Sequence, residues 1–207
     1  MTPLRRLTDP ARLAWHLSGS VKDFWSSDLN LAAIELVDPQ PGEVVVDLGA
    51  GLGPASVEAI GLVGPTGRVI AVEPSRTMRA LLRLRCLGHR DLRAVEVRDG
   101  TAESLPVGAT SVDALWAVNA THHFADLERF TAQLVRVLRP GGRVILVEED
   151  LNHRFAQQDG QGHHRPHAID VEALLVLFRS AGLTESSSTY GVLAGTPATV
   201  ITSRKAG

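Results

Sequence analysis

The stretch Val44-Val45-Val46-Asp47-Leu48-Gly49-Ala50-Gly51-Leu52-Gly53-Pro54 constrains this chain more than any other. An unbroken apolar run of strand-forming residues, ended by an acid, reads as a strand buried on both faces. Glycines at alternate positions follow at once, and a loop without side chains lets the backbone come close to a bound ligand. Pro54 is favoured in the first turn of a helix, whose amide-rich, positive end would point at that ligand. The dinucleotide fingerprint is G-x-G-x-x-G. Here Gly49, Gly51 and Gly53 read G-x-G-x-G, with Asp47 before them.

Downstream the chain alternates strand-like and helical segments, the pattern of a parallel sheet covered on both sides. The expected order is a helix from Pro54 to about Leu62, a second strand over Arg68 to Glu73, and a helix capped by Ser75 and running through Cys86. Leu92 to Arg98 reads as an edge-like third strand and Val112 to Val118 as the fourth. A helix from Leu127 to Leu138 is stopped by Arg139-Pro140-Gly141-Gly142, and Arg143 to Glu148 makes the fifth strand. Val171 to Ala181 reads as an amphipathic helix ended by Gly182. Segments near Thr184 to Tyr190 and Ala198 to Thr202, joined by Gly191 to Pro197, read as an antiparallel hairpin. Ahead of the first strand, Ala11 to Leu17 and Leu29 to Val37 look helical, and Asp38 to Gly42 turns the chain into the core.

Three further motifs fall at strand ends, where open α/β sheets bind ligands. Glu73-Pro74 ends the second strand, twenty residues after Gly53. Asp99-Gly100-Thr101-Ala102-Glu103-Ser104-Leu105-Pro106 follows the third, and Asn119-Ala120-Thr121-His122-His123-Phe124 leaves the fourth. With the glycine loop, these four motifs in order resemble those of class I S-adenosylmethionine-dependent methyltransferases, over roughly Pro41 to Gly182. The resemblance implies a Rossmann-like, doubly wound α/β sheet of seven strands in the order 3-2-1-4-5-7-6, the last antiparallel, with helices on both faces. It is weaker over the first forty residues, which read as an N-terminal helical cap segment on a methyltransferase domain over 41–207, the whole forming one globular domain.

The resemblance also implies S-adenosyl-L-methionine as cofactor and S-adenosyl-L-homocysteine as product, held by Asp47, Gly49, Ala50, Gly51, Gly53, Glu73, Pro74, Asp99, Gly100, Thr101, Ala102 and Asn119. Asp47 serves the methionine ammonium directly or by shaping the glycine loop, and Glu73 the ribose hydroxyls. Thr101 and Ala102 align with the family's adenine-edge positions. Many relatives carry aspartate at the Thr101 position, so Asp99 is the competing side chain. Asn119 is expected to touch the cofactor through its carbonyl or its side chain. His122 and His123 are the candidates for deprotonating an acceptor, the alternative being that they shape the pocket. Glu103 is read as bracing its loop. The implied reaction is in-line displacement of the methyl group by an oxygen, nitrogen or carbon nucleophile of a small molecule. A cofactor-binding scaffold without turnover, or a non-catalytic partner subunit, is the alternative. A nicotinamide-dependent reductase is opposed by the glycine spacing and by the lack of a Tyr-x-x-x-Lys pair.

Composition narrows the partners. The 207 residues are 44% hydrophobic and 21% charged, with a formal net charge of -2, so neither nucleic acid nor an anionic membrane is an expected partner. Nearly all cations are arginines, and Arg79, Arg83 and Arg85 read as the solvated face of a helix. One cysteine, Cys86, allows no intramolecular disulfide, and no leader or membrane-spanning stretch is read, so a cytoplasmic monomer or homodimer is expected. Asn152 to Ala168, with His153, His163, His164 and His167, reads as a mobile loop over the acceptor pocket, not as a metal site. Residues 1–30 are expected to close over the acceptor with it, with Trp15, Phe24 and Trp25 lining the pocket.

Overall fold

In a computed structural model of the chain, residues 28–88, 94–150 and 169–207 are described. The elements run α1 (Asp28–Val37), β1 (Val44–Leu48), α2 (Pro54–Val63), β2 (Arg68–Val72), α3 (Arg76–Gly88), β3 (Val95–Arg98), β4 (Val112–Val118), a 3-10 turn (Thr121–His123), α4 (Leu127–Val137), β5 (Leu138–Glu149), α5 (Val171–Ser180), β6 (Leu183–Leu193) and β7 (Thr196–Lys205). The strands form one sheet in the order β3-β2-β1-β4-β5-β7-β6. All pairs from β3 to β5 are parallel, while β7 runs antiparallel to both β5 and β6. This is the expected order, and the chain reverses its winding between β1 and β4.

Alternation along the strands divides the core in two, because successive strand side chains point to opposite faces. Val46, Leu48, Ile70, Val72, Leu115 and Ala117 pack with Phe130 and Leu134 of α4 and Phe178 of α5. Val45, Val69, Ala71, Ala114 and Trp116 pack on the other face with Ala33 of α1, Ala59 of α2 and Leu82 of α3. The central strands therefore read as continuous apolar runs. Asp126 and Asp170 cap α4 and α5 by accepting from the amides of Arg129 and Ala173, and Ser75 accepts from the Met78 amide at the start of α3.

The hairpin is longer than the sequence reading. Gly191 pairs with Ala198 and Val192 with Pro197, so the turn is only Ala194–Gly195. Both have positive φ, 51° and 80°, the geometry of a two-residue turn whose twist matches the strands it joins. Arg139 to Gly142 lies within the opening of β5, which pairs Leu138 with Val112 and resumes at Arg143 opposite Ala114. Lys205 donates to the carbonyls of Val135 and Leu138 at the end of α4, at 2.7 and 2.8 Å. The described part of the third strand begins at Val95; residues 89–93 lie outside the described residues, as do Ala11 to Leu17, Trp15, Phe24, Trp25 and the histidine-rich segment 152–168. Within the proposed cap, α1 packs into the core.

The reading of Arg79 and Arg85 as solvated needs correction, while Arg83 is exposed as expected. Arg79 is buried and donates to the Glu73 carbonyl at 2.7 Å. Arg85 reaches the Leu52 carbonyl at 2.7 Å and Arg83 the Val97 carbonyl at 3.0 Å. Their guanidinium groups reach backbone acceptors that a helical-wheel reading does not show.

Arg143 ties α1 to the sheet. It donates to the carbonyls of Val37 and Asp38 at 2.6 and 2.8 Å and to both oxygens of Glu43 at 2.8 and 2.7 Å. Burial pushes the Glu43 carboxyl up, but the Arg143 guanidinium and the Gln40 amide outweigh it and leave its pKa below 4.5. The pair therefore contributes stability above pH 4.5 that is lost as pH falls through the lowered value. Arg143→Met should cost about 2 kcal/mol near neutrality by orphaning these acceptors. Urea unfolding should show the difference from wild type narrowing below pH 4.5. A constant difference would contradict this account.

Candidate functional site

The carboxyl ends of β1, β2, β4 and β5 meet at the point where the winding reverses, the place an open α/β sheet offers a ligand. Gly49 and Ala50 both donate to the Val72 carbonyl, at 2.8 and 3.1 Å, and lash the loop to the end of β2. A side chain at Gly49 would have its Cβ 2.6 Å from that of Ala120, at a φ of +74°. The glycine loop and the exit of β4 thus touch only because residue 49 has no side chain. At Gly53 (φ +70°) a Cβ would stand 2.6 Å from Leu82 of α3, and Pro54 opens α2 directly after it.

Two buried carboxylates flank this loop. Asp47 accepts from the Ser56 hydroxyl at 2.5 Å, so its visible work is to brace the loop against α2. Burial is the largest influence on it and pushes its pKa up to about 6, against the hydrogen bond from Ser56 and helped by the Glu73 charge. Glu73 accepts from the Gly51 amide at 2.9 Å and the Ser75 amide at 2.8 Å, one on each oxygen. Pro74 beside it is exposed. Neither carboxylate is salt-bridged among the described residues; Arg79 meets Glu73 only at its backbone carbonyl.

The two candidates after β3 are both engaged. Asp99, with its side chain 72% exposed, pairs with Arg79 at 2.8 and 3.0 Å. Gly100 packs under Pro106, and Thr101 and Ser104 close a tight turn that buries Ala102. Glu103 accepts from the amides of Ala125 and Asp126 at 2.7 and 3.3 Å, which makes it the expected loop brace.

Beyond β4, Asn119 adopts a φ of +51° and accepts from the Glu149 amide at 2.8 Å through its side chain, while its own amide donates to Val147 at 2.8 Å. That rivets the exit of β4 to the exit of β5. His122 Nδ1 lies 2.7 Å from a Glu148 oxygen, and the other Glu148 oxygen accepts from the Thr121 amide at 2.6 Å. The rings of His122 and His123 are 4.0 Å apart, with His123 exposed. The sequence reading missed Glu148 and Arg79 as site-shaping residues. For Glu148 the signal was present: an acid at the ligand end of β5, next in the sheet to β4, is placed like Asp47 and Glu73. Among the described residues no three His, Cys, Asp or Glu side chains cluster to hold a metal ion, and no helix is long and apolar enough to cross a membrane.

A doubly wound sheet with a glycine loop and strand-end carboxylates at its reversal defines a protein of Rossmann-like architecture. Residues 46–146 match the family described as "Methyltransferase domain". Over 116 residues the chain is 34% identical to a nocamycin O-methyltransferase of Saccharothrix syringae, covering 55% of this chain and 40% of that protein. Over 132 residues it is 29% identical to a ubiquinone/menaquinone biosynthesis C-methyltransferase of Ectopseudomonas mendocina, covering 64% and 50%. The chain spans at most about half the length of these curated relatives. The fold matches a crystal structure of a SAM-dependent methyltransferase from Aquifex aeolicus, with a TM-score of 0.69 at 16% identity over 95% of this chain and 98% of that one. The segment 46–146 is thus similar to a methyltransferase domain, and the fold of the chain is that of S-adenosylmethionine-dependent methyltransferases.

Because the pKa of Asp47 is raised from 3.8 to about 6, its ionisation opposes folding. The stability present below pH 3.8 is lost as pH rises through about 6. Asp47→Asn removes that dependence and should gain on wild type between pH 4.5 and 7.5, by on the order of 2–3 kcal/mol. Urea midpoints of the ligand-free proteins read this, and a pH-independent difference would refute it.

Proposed function

We propose that this chain binds S-adenosyl-L-methionine at the ends of β1, β2 and β4 and transfers its methyl group to a small-molecule acceptor. The observation that carries the reading is the pair of buried carboxylates, Asp47 and Glu73, flanking a glycine loop and without a salt bridge among the described residues. A pyrophosphate would be repelled by such a pair, whereas a cationic nucleoside bearing an ammonium, a sulfonium and a ribose diol is matched in charge. Each Glu73 oxygen already accepts one backbone amide and keeps a lone pair for a ribose hydroxyl.

The residues divide the work accordingly. Gly49, Ala50, Gly51 and Gly53 give the backbone its approach, and Asp47 holds the loop and supplies negative charge toward the ammonium. Pro74 follows the ribose acid. Asp99, Gly100, Thr101 and Ala102 form the adenine wall, with Asp99 steadied by Arg79. Asn119 offers its backbone carbonyl, since its side chain is committed to Glu149. When bound, the cofactor supplies an already activated methyl electrophile, and the protein's contribution is to hold the nucleophile in line and exclude water. His122 and His123 stand at the acceptor side of the glycine loop. The small-molecule acceptor, at oxygen, nitrogen or carbon, is supported by the net charge of -2 and by the named activities of the relatives.

Titration calorimetry tests the reading. The full chain should bind S-adenosylmethionine and S-adenosylhomocysteine, and Glu73→Ala should weaken both by roughly 10- to 100-fold, the worth of a hydrogen bond to a charged group. Absence of binding in the wild type, or unchanged affinity in the variant, would overturn it. With radiolabelled methyl donor in a metabolite extract, the label should appear in a compound of low molecular mass.

A further inference from the structure

We propose that His122 and Glu148 form a base dyad in which Glu148 is the positioning residue, and that the acceptor is one whose attacking oxygen or nitrogen carries a proton that passes to His122. The proposal rests on the methyl-transfer reading above and deepens it.

The geometry is that of an oriented imidazole. One Glu148 oxygen is held by the Thr121 backbone amide at 2.6 Å, so the carboxylate cannot swing away, and the other meets His122 Nδ1 at 2.7 Å. A carboxylate accepting at Nδ1 selects the tautomer with its proton there and leaves the Nε2 lone pair for another partner. The two side chains are only 14% and 13% exposed, which shields the pair from water without sealing the ring off. The frame is rigid: Asn119 bonds the backbone of β5 at Val147 and Glu149, on either side of Glu148. The dyad also adjoins the cofactor loop, because Ala120, two residues before His122, is the residue that Gly49 abuts. The ionisable groups found against His122 are Glu148 from β5 and His123 from its own turn.

This arrangement suits an acceptor that must lose a proton during transfer. The acceptor O–H or N–H bond breaks and its proton moves to Nε2 of His122. The freed electron pair forms the bond to the methyl carbon as the C–S bond breaks, the electrons of that bond remaining on sulfur. Glu148 keeps its contact with Nδ1 and stabilises the imidazolium, the role such a carboxylate plays beside a histidine base. A sulfide or tertiary amine would carry no proton and make no use of the dyad.

The test uses the full chain, labelled with 15N-histidine and saturated with S-adenosylhomocysteine. Nitrogen shifts of His122 should show the proton on Nδ1, and diethylpyrocarbonate should modify its Nε2. Glu148→Gln keeps an oxygen for the Thr121 amide but can present an N–H to Nδ1. The proton should then move to Nε2, and carbethoxylation of His122 should slow by at least about tenfold. Affinity for S-adenosylhomocysteine should change less than about twofold, since no cofactor contact is altered. A proton found on Nε2 in the wild type overturns the proposal without any variant. Unchanged tautomer and reactivity in Glu148→Gln would reduce Glu148 to a structural brace. Loss of cofactor binding by the wild type would instead remove the methyl-transfer reading itself. A methylated product bearing a sulfonium or quaternary nitrogen overturns the acceptor class.

Discussion

A parallel sheet buried on both faces has no room for polar side chains along its strands, so charge is driven to the strand ends. The rest of this structure depends on that constraint. Val45, Val46, Val69, Ile70, Leu115 and Trp116 fill the two core layers, while Asp47, Glu73, Asn119 and Glu148 sit at or just beyond the carboxyl ends of β1, β2, β4 and β5. Four strands that reverse their winding at β1 and β4 therefore collect polar groups from widely separated parts of the chain at one edge.

The polar groups at that edge are bound to backbone more than to each other. Glu73 takes two amides, Glu148 takes the Thr121 amide, Glu103 takes two amides across the loop, and the Asn119 side chain takes the amide of Glu149. Side chains held this way cannot relax when a ligand arrives, so their charge is already in place. Asp47 is the costliest member, since its burial resists ionisation. A cationic ligand would offset part of that cost.

Much of this was legible in the sequence, for a physical reason. Where the ligand edge is built from residues contiguous with a strand end, the local pattern carries the information. Thus the glycine loop, Glu73 and Asn119 could be placed from their neighbours, and the strand order followed from the family resemblance that those motifs support. What failed were readings that depend on where a long or flexible side chain finds a partner. The arginines of α3 look solvated on a helical wheel, yet Arg79 turns inward to Glu73 and Asp99. The hairpin ends were set too short because Gly191 and Pro197 read as turn residues, although Ala194 and Gly195 make the turn.

The sequence by itself determined the alternation of elements, the glycine approach to a ligand and the acids that end β1 and β2, because period and local punctuation are properties of neighbouring residues. The tertiary structure alone decided that Gly49 abuts Ala120, that Arg143 joins α1 to Glu43, and that Glu148 stands beside His122 twenty-six residues earlier. Those are contacts between strand ends, and their partners are chosen by sheet order and register. Periodicity along one segment does not encode which residue of the neighbouring strand lies alongside.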